Sequence, residues 1–126
     1  MGKIKIFMGD MVHNLTGEYQ YTFPLGVGLI GEYVKKHYPQ EIEIRYFKRP
    51  ELFIEAIRVE NPDIAGLSYY IWNNNLNNLV FDIVKRHNPN ILTIGGGPNI
   101  TNLNCHQKGL QRFFAMARNC DVYVLN

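Results

Sequence analysis

Apolar and polar positions change period along this chain in a regular way. Lys3-Ile4-Lys5-Ile6-Phe7-Met8 is short and apolar-rich, the pattern of a strand. A polar stretch rich in Gly, Asn, Asp and Thr follows, from Gly9 to Phe23. Pro24 opens a helix, since proline suits the first helical position. Leu25, Leu29, Ile30, Tyr33 and Val34 recur at helical spacing and predict its buried face. His37-Tyr38-Pro39 stops it, because the residue before proline avoids the helical region. Glu41 to Phe47 alternates as a second strand. Arg49-Pro50-Glu51 starts a second helix with a stripe of Leu52, Phe53, Ala56 and Ile57, broken at Asn61-Pro62-Asp63.

Ile64-Ala65-Gly66-Leu67-Ser68 is apolar throughout, as a central parallel strand is. Leu76, Leu79, Val80, Ile83 and Val84 form the clearest helical stripe, ended by Asn88-Pro89-Asn90. Ile91-Leu92-Thr93-Ile94 is a fourth strand, running into Gly95-Gly96-Gly97-Pro98. Leu110, Phe113, Phe114 and Ala117 mark a fourth helix, and Asp121-Val122-Tyr123-Val124 a fifth strand. Strand–helix alternation implies right-handed crossovers and a parallel sheet. The predicted fold is α/β, a doubly wound five-stranded parallel sheet of flavodoxin-like or Rossmann-like type, order 2-1-3-4-5. The pattern stops at Asn126, where this fold takes another helix. The expectation is one domain, 1–126, with its last helix missing and belonging to a longer protein.

Composition narrows the function. The net charge of +2 and the scattered basic pairs (Lys35-Lys36, Lys48-Arg49, Lys85-Arg86) give no footprint for nucleic acid or an anionic membrane. No stretch approaches the roughly 20 apolar residues of a membrane span. The N-terminus enters a strand pattern directly rather than a signal peptide, so a cytoplasmic protein is expected. Cys105 and Cys120 then read as reduced thiols in packing roles.

Ligands of such sheets bind beyond the carboxyl ends of the strands. Three loops meet there: 9–23, Ser68 to Asn73, and Gly95 to Asn99. The triple glycine permits close backbone approach to a bulky ligand, or merely a tight strand–helix turn. It lacks the Gly-Lys-Ser/Thr of a phosphate loop and lies after the wrong strand for a dinucleotide fingerprint. Tyr69, Tyr70, Ile71 and Trp72 are four large side chains in succession. They read as a wall around a large, flat, partly apolar ligand, or as inward packing of Tyr69 and Ile71 with Asn73 capping the next helix. Asp10 and His13 suggest an imidazole metal ligand oriented by a carboxylate, or a solvated loop histidine. His37 and His87 suit helix ends. Cys105 and His106 are adjacent but bring no second ligand pair. Strand three ends at Ser68 where phosphoacceptor receivers need Asp.

Taken together, Phe23-Pro24-Leu25-Gly26-Val27-Gly28, Pro62-Asp63-Ile64-Ala65-Gly66-Leu67-Ser68, Gly95-Gly96-Gly97-Pro98 and Cys120-Asp121-Val122-Tyr123-Val124 carry a resemblance. The chain is similar to the cobalamin-binding domain that precedes the radical S-adenosylmethionine (SAM) domain in a large enzyme class. The resemblance implies that Ser68, Gly95, Gly96, Gly97 and Pro98 line a groove for the nucleotide tail of cobalamin. It places Tyr69, Tyr70 and Trp72, with Asn73, near the lower corrin face or along the tail, and Phe23, Pro24, Leu25 and Gly26 at the corrin edge. The wider cobalamin-binding class takes its cobalt ligand from an Asp-x-His-x-x-Gly motif. Asp10, His13 and Gly17 depart from that spacing by one residue on each side, and His13 is the candidate ligand. The implied methyl transfer or radical rearrangement needs a Cys-x-x-x-Cys-x-x-Cys iron–sulfur motif, which this chain lacks. It therefore belongs, with SAM and the cluster, to a separate C-terminal domain; this chain alone is expected to be a carrier without catalytic activity. Two other readings stay open. One is a flavin- or nucleotide-binding domain using Asn14, Thr16 and Gly17; the other is a ligand-free interaction domain.

Overall fold

The computed structural model describes residues 2–13, 24–99 and 107–125. Strands and helices alternate: β1 (Ile4–Gly9), α1 (Leu25–His37), β2 (Ile42–Phe47), α2 (Pro50–Glu60), β3 (Ile64–Ser68), α3 (Asn74–His87), β4 (Leu92–Gly96), α4 (Gln107–Met116) and β5 (Val122–Val124). The strands form one parallel sheet in the order β2-β1-β3-β4-β5, as the pattern predicts. Proline sets several boundaries. Pro24 precedes α1, and Pro50 is the first residue of α2. Asn61 ends α2 with a left-handed backbone, φ 47°.

Strand alternation divides the sheet into two unlike faces. On one, Phe7, Phe47, Ala65, Leu67 and Tyr69 join Phe53, Ala56, Ile57, Val80, Phe81, Val84, Ala117 and Cys120 in a single core. Its rings interlock: Phe47 meets Phe53 edge-on at 5.3 Å, and Tyr69 meets Phe113 at 5.5 Å. The register puts Met8, Tyr46, Gly66, Ile94 and Val122 on the other face, followed by Ser68, Gly96 and Val124. There α1 lies over β2, β1 and part of β3. Beyond it the face is open among the described residues, and Val124 is 55% exposed.

The predicted inner face of α1 is corrected. Leu25, Leu29, Ile30 and Tyr33 point outward, with Leu29 62% and Tyr33 66% exposed. The helix instead rests on the sheet through Val27, Gly28 and Gly31. A Cβ on Gly31 would overlap the ring of Tyr46, so bare glycine is what lets the helix come this close. Leu52 and Leu79 also face outward, while Phe81 is buried in their stead. No helix among the described residues is long and apolar enough to cross a membrane.

Candidate functional site

The polar side chains at the carboxyl edge of the sheet mostly tie one loop to another. Asn73, just before α3, is the central knot. Its Nδ2 donates to the carbonyl oxygens of Met11 (3.1 Å) and Ser68 (3.1 Å), and its Oδ1 accepts the Tyr70 N–H (2.8 Å). Asn77, one turn on, donates to Ser68 O (2.9 Å) and Asn73 Oδ1 (3.3 Å). Its own Oδ1 is buried and has no partner among the described residues. His13 Nε2 lies 2.9 Å from the Trp72 carbonyl, a second tie between the loops after β1 and β3. The loop after β4 joins them: Asn99 donates to Asn74 Oδ1 (2.8 Å) and to Tyr69 O (3.3 Å). Tyr69 N–H donates to Gly96 O (2.6 Å), and the Tyr123 hydroxyl to Gly97 O (2.9 Å).

These ties gather His13, Ser68, Tyr70, Trp72, Gly96 and Gly97 at one edge, with Pro98 next in the chain, while Pro24, Leu25 and Gly26 lie at the start of α1. Phe23 lies outside the described residues, as do Asn14, Thr16, Gly17, Cys105 and His106. Tyr70 and Trp72 stack with centroids 4.5 Å apart and planes 7° from parallel. Trp72 is 63% exposed. A Cβ on Gly26 would approach the Tyr70 hydroxyl at 3.9 Å, so the stacked pair sits beside the start of α1.

Three expected contacts turn out to face inward. Tyr69 is 0% exposed, and its hydroxyl donates to Asn78 Oδ1 (2.9 Å). The alternation Ala65, Leu67, Tyr69 sends it into the core, so it is no part of an aromatic wall. Asn73 is fully buried with its amide committed to loop ties. Gly95 also belongs to the core side: a Cβ there would lie 3.0 Å from Cys120 Sγ, 3.0 Å from Tyr123 and 3.1 Å from Tyr69. The exposed Ile71 likewise reverses the inward packing considered for it.

The glycines therefore do different work. Gly95 makes room for rings. Gly97 has φ +124°, and its Cα lies against the Tyr69 backbone, where a Cβ would be 2.6 Å from Tyr69 O. Gly96 faces the other side, where among the described residues a Cβ would find only Val124, at 3.6 Å and 3.7 Å. Gly66 on β3 is buried, although among the described residues a Cβ there would meet nothing nearer than 3.8 Å. With Ser68 paired to Gly96, two half-buried small residues lie side by side at the ends of β3 and β4, on the α1 side of the sheet, and floor a shallow trough among the described residues.

Charge is sparse at this edge. Burial raises the pKa of Asp10, partly offset by Lys48. At the opposite end, burial alone would raise Asp121. Hydrogen bonds from Lys85 Nζ (2.5 Å), Thr93 N–H (2.9 Å) and Thr93 Oγ1 (3.1 Å) outweigh it and hold the carboxyl below its usual range. Cys120 is a free, buried thiol pushed up to about 11 by burial first. Among the described residues no group of three or more His, Cys, Asp or Glu side chains converges as a metal site.

Comparison with known proteins points the same way. The chain is 31% identical over 91 residues to the cobalamin-dependent radical SAM methyltransferase TokK of Streptomyces tokunonensis, covering 67% of this chain and 13% of that protein. It is 28% identical over 82 residues to the 2-(S-pantetheinyl)-carbapenam-3-carboxylate methyltransferase of Streptantibioticus cattleyicolor, covering 61% of this chain and 12% of that one. The chain thus spans about an eighth of the length of these relatives. Among solved structures, a cobalamin-binding protein from Desulfitobacterium hafniense DCB-2 shares the fold, with a TM-score of 0.63 at 15% identity over 95% of this chain and 52% of that chain. No protein-family model matches. The resemblance drawn from the sequence motifs is borne out by these relatives.

Proposed function

We propose that this chain, a relative of the cobalamin-dependent radical SAM methyltransferases with the fold of a cobalamin-binding domain, binds cobalamin at the carboxyl edge of its sheet. The observation that carries the reading is the trough over the paired Ser68 and Gly96. Both are small and only half-buried, and among the described residues a Cβ at Gly96 would stand in the trough at ordinary contact distance from Val124. That is the shape a nucleotide tail lying against main chain requires.

Each neighbouring residue then has a task. Ser68 offers a hydroxyl at the head of the trough. Gly97 and Pro98 turn the chain away so that Gly96 stays uncovered. Pro24, Leu25 and Gly26 present an apolar edge to the corrin ring. Tyr70 and Trp72 offer a flat stacked surface and exclude water from the ring's lower face. The His13 imidazole lies within the same loop cluster. Bound cobalamin supplies cobalt-borne methyl transfer or radical chemistry, which the protein can only position. The reaction itself is assigned to an associated radical SAM domain that brings the iron–sulfur cluster and SAM, and this domain acts as the carrier.

The test is a visible spectrum after incubation with hydroxocobalamin and removal of free ligand. Retained corrinoid bands in stoichiometric amount are the expected result. A folded but colourless protein, both as this chain and as the same domain within a full-length parent enzyme, refutes the proposal.

A further inference from the structure

The turn carrying Trp72 has an exposed side chain and a fully anchored backbone. Asn73 N–H donates to Tyr70 O (3.3 Å), Tyr70 N–H donates to Asn73 Oδ1 (2.8 Å), and Trp72 O receives His13 (2.9 Å). A surface aromatic stack adds little beyond the area it buries. Stacking alone would leave the indole free to swing. The anchors come from far away in sequence: His13 and Trp72 are 59 residues apart, Met11 and Asn73 are 62. A carbonyl oxygen only accepts, so the ring nitrogen facing Trp72 O must carry hydrogen. That fixes the neutral tautomer: Nε2 is protonated, and Nδ1 keeps the lone pair.

We infer that His13 is a positioning residue. Its Nε2–H on the Trp72 carbonyl and the Asn73 amide on the Met11 carbonyl form a two-point latch between the loops after β1 and β3. The latch holds the Tyr70–Trp72 stack as a preformed platform before any ligand arrives. Nε2, committed to a carbonyl, is unavailable to a metal while the latch is closed. A preformed platform spares the ligand the ordering of two large side chains on binding. That the platform serves a corrin ring rests on the function proposed above; the latch itself does not.

Trp72 is the sole tryptophan of the chain, so its fluorescence reads the platform directly in the ligand-free protein. The variants are His13→Ala, which removes the donor, and His13→Gln, whose amide N–H can replace Nε2–H. His13 is exposed, so both should keep wild-type far-ultraviolet dichroism. In His13→Ala, Trp72 anisotropy should fall and the near-ultraviolet dichroism of the stack should weaken, and His13→Gln should restore both. Hydroxocobalamin retention should drop roughly three- to tenfold in His13→Ala, the range of one lost hydrogen bond, and recover in His13→Gln. Unaltered Trp72 signals in His13→Ala overturn the latch. Absent corrinoid retention by the wild type, both as this chain and within a full-length parent enzyme, would refute the cobalamin reading, and the fluorescence result would still decide the latch.

Discussion

Gly95, Gly96 and Gly97 are adjacent in sequence yet should respond to substitution in three different ways. A methyl on Gly95 would enter at 3.0–3.1 Å from Cys120 Sγ and the rings of Tyr123 and Tyr69. Those groups are wedged in the core, so overpacking of about 1–3 kcal/mol is expected for Gly95→Ala. Gly97→Ala combines φ +124° with a Cβ at 2.6 Å from a backbone oxygen that has no rotamer to escape into. Strain there should exceed about 2 kcal/mol. Gly96→Ala meets Val124 at ordinary contact distance. It should be neutral or stabilising by up to about 1 kcal/mol, because alanine has fewer unfolded conformations to lose. Gly96→Val should fold as well as wild type yet reduce hydroxocobalamin retention by at least tenfold, since its side chain stands in the trough. Urea unfolding followed by Trp72 fluorescence gives the stabilities, and desalted spectra give the binding. Wild-type retention by a folded Gly96→Val protein would refute the trough. Equal stability of all three alanine variants would refute the division of labour among the glycines.

Three further outcomes follow from the charged and thiol groups. Asp121→Asn should lower stability at pH 7 by about 1 kcal/mol, the figure for a charge-assisted bond discounted for partial exposure. Because the native Asp121 pKa is depressed, wild type should hold that advantage above the usual carboxylate range and lose it as pH falls, converging with the variant in acid urea melts. Asp10 has the opposite sign. Its raised native pKa means its contribution is present below the usual carboxylate range and is lost as pH rises through the native value. Asp10→Asn should therefore be more stable than wild type at pH 7, and a less stable variant would contradict the burial argument. Cys120, pushed up to about 11, should resist alkylation at pH 8 until urea unfolds the chain, as peptide mass mapping would show.

Much of the fold was legible because punctuation and period agreed. Pro24, Pro50, Pro62 and Pro89 lie at element boundaries, and five apolar runs separate them into parallel-strand units. The orientation of α1 was not legible from period alone. Leu25, Leu29, Ile30 and Tyr33 share the helical repeat with Val27, Gly28 and Gly31, and periodicity reports a stripe without saying which stripe is inside. Tyr46, which takes the space beside Gly31, is in another element. Tyr69 was misassigned for a related reason. Four aromatic or aliphatic residues in a row looked like one surface, yet strand alternation separates Tyr69 from Tyr70, and the room for its ring comes from Gly95 on the next strand. The loop ties were invisible because their acceptors are main-chain carbonyls of Met11, Ser68 and Trp72. Carbonyls leave no trace in residue type, so Asn73 looked like a cap or a ligand contact rather than a knot.

These observations explain how so small a domain can keep an open groove. Phenylalanine and tyrosine rings from α2, α3, α4 and the strands crowd one side of the sheet, and the buried residues there carry the stability. The other side can then stay thin at the ends of β3 and β4, because Ser68 and Gly96 contribute little to packing. Binding residues need not double as core residues, which frees the trough to be shaped by what is missing from it. The risk of such an arrangement is that loops without a core beneath them drift apart. The amide and imidazole ties to main-chain carbonyls answer that risk, since they hold backbone positions while leaving Trp72 and the groove uncovered. On this reasoning, substitutions at Asn73 should loosen the edge as a whole, whereas substitutions at Gly96 should alter the groove alone.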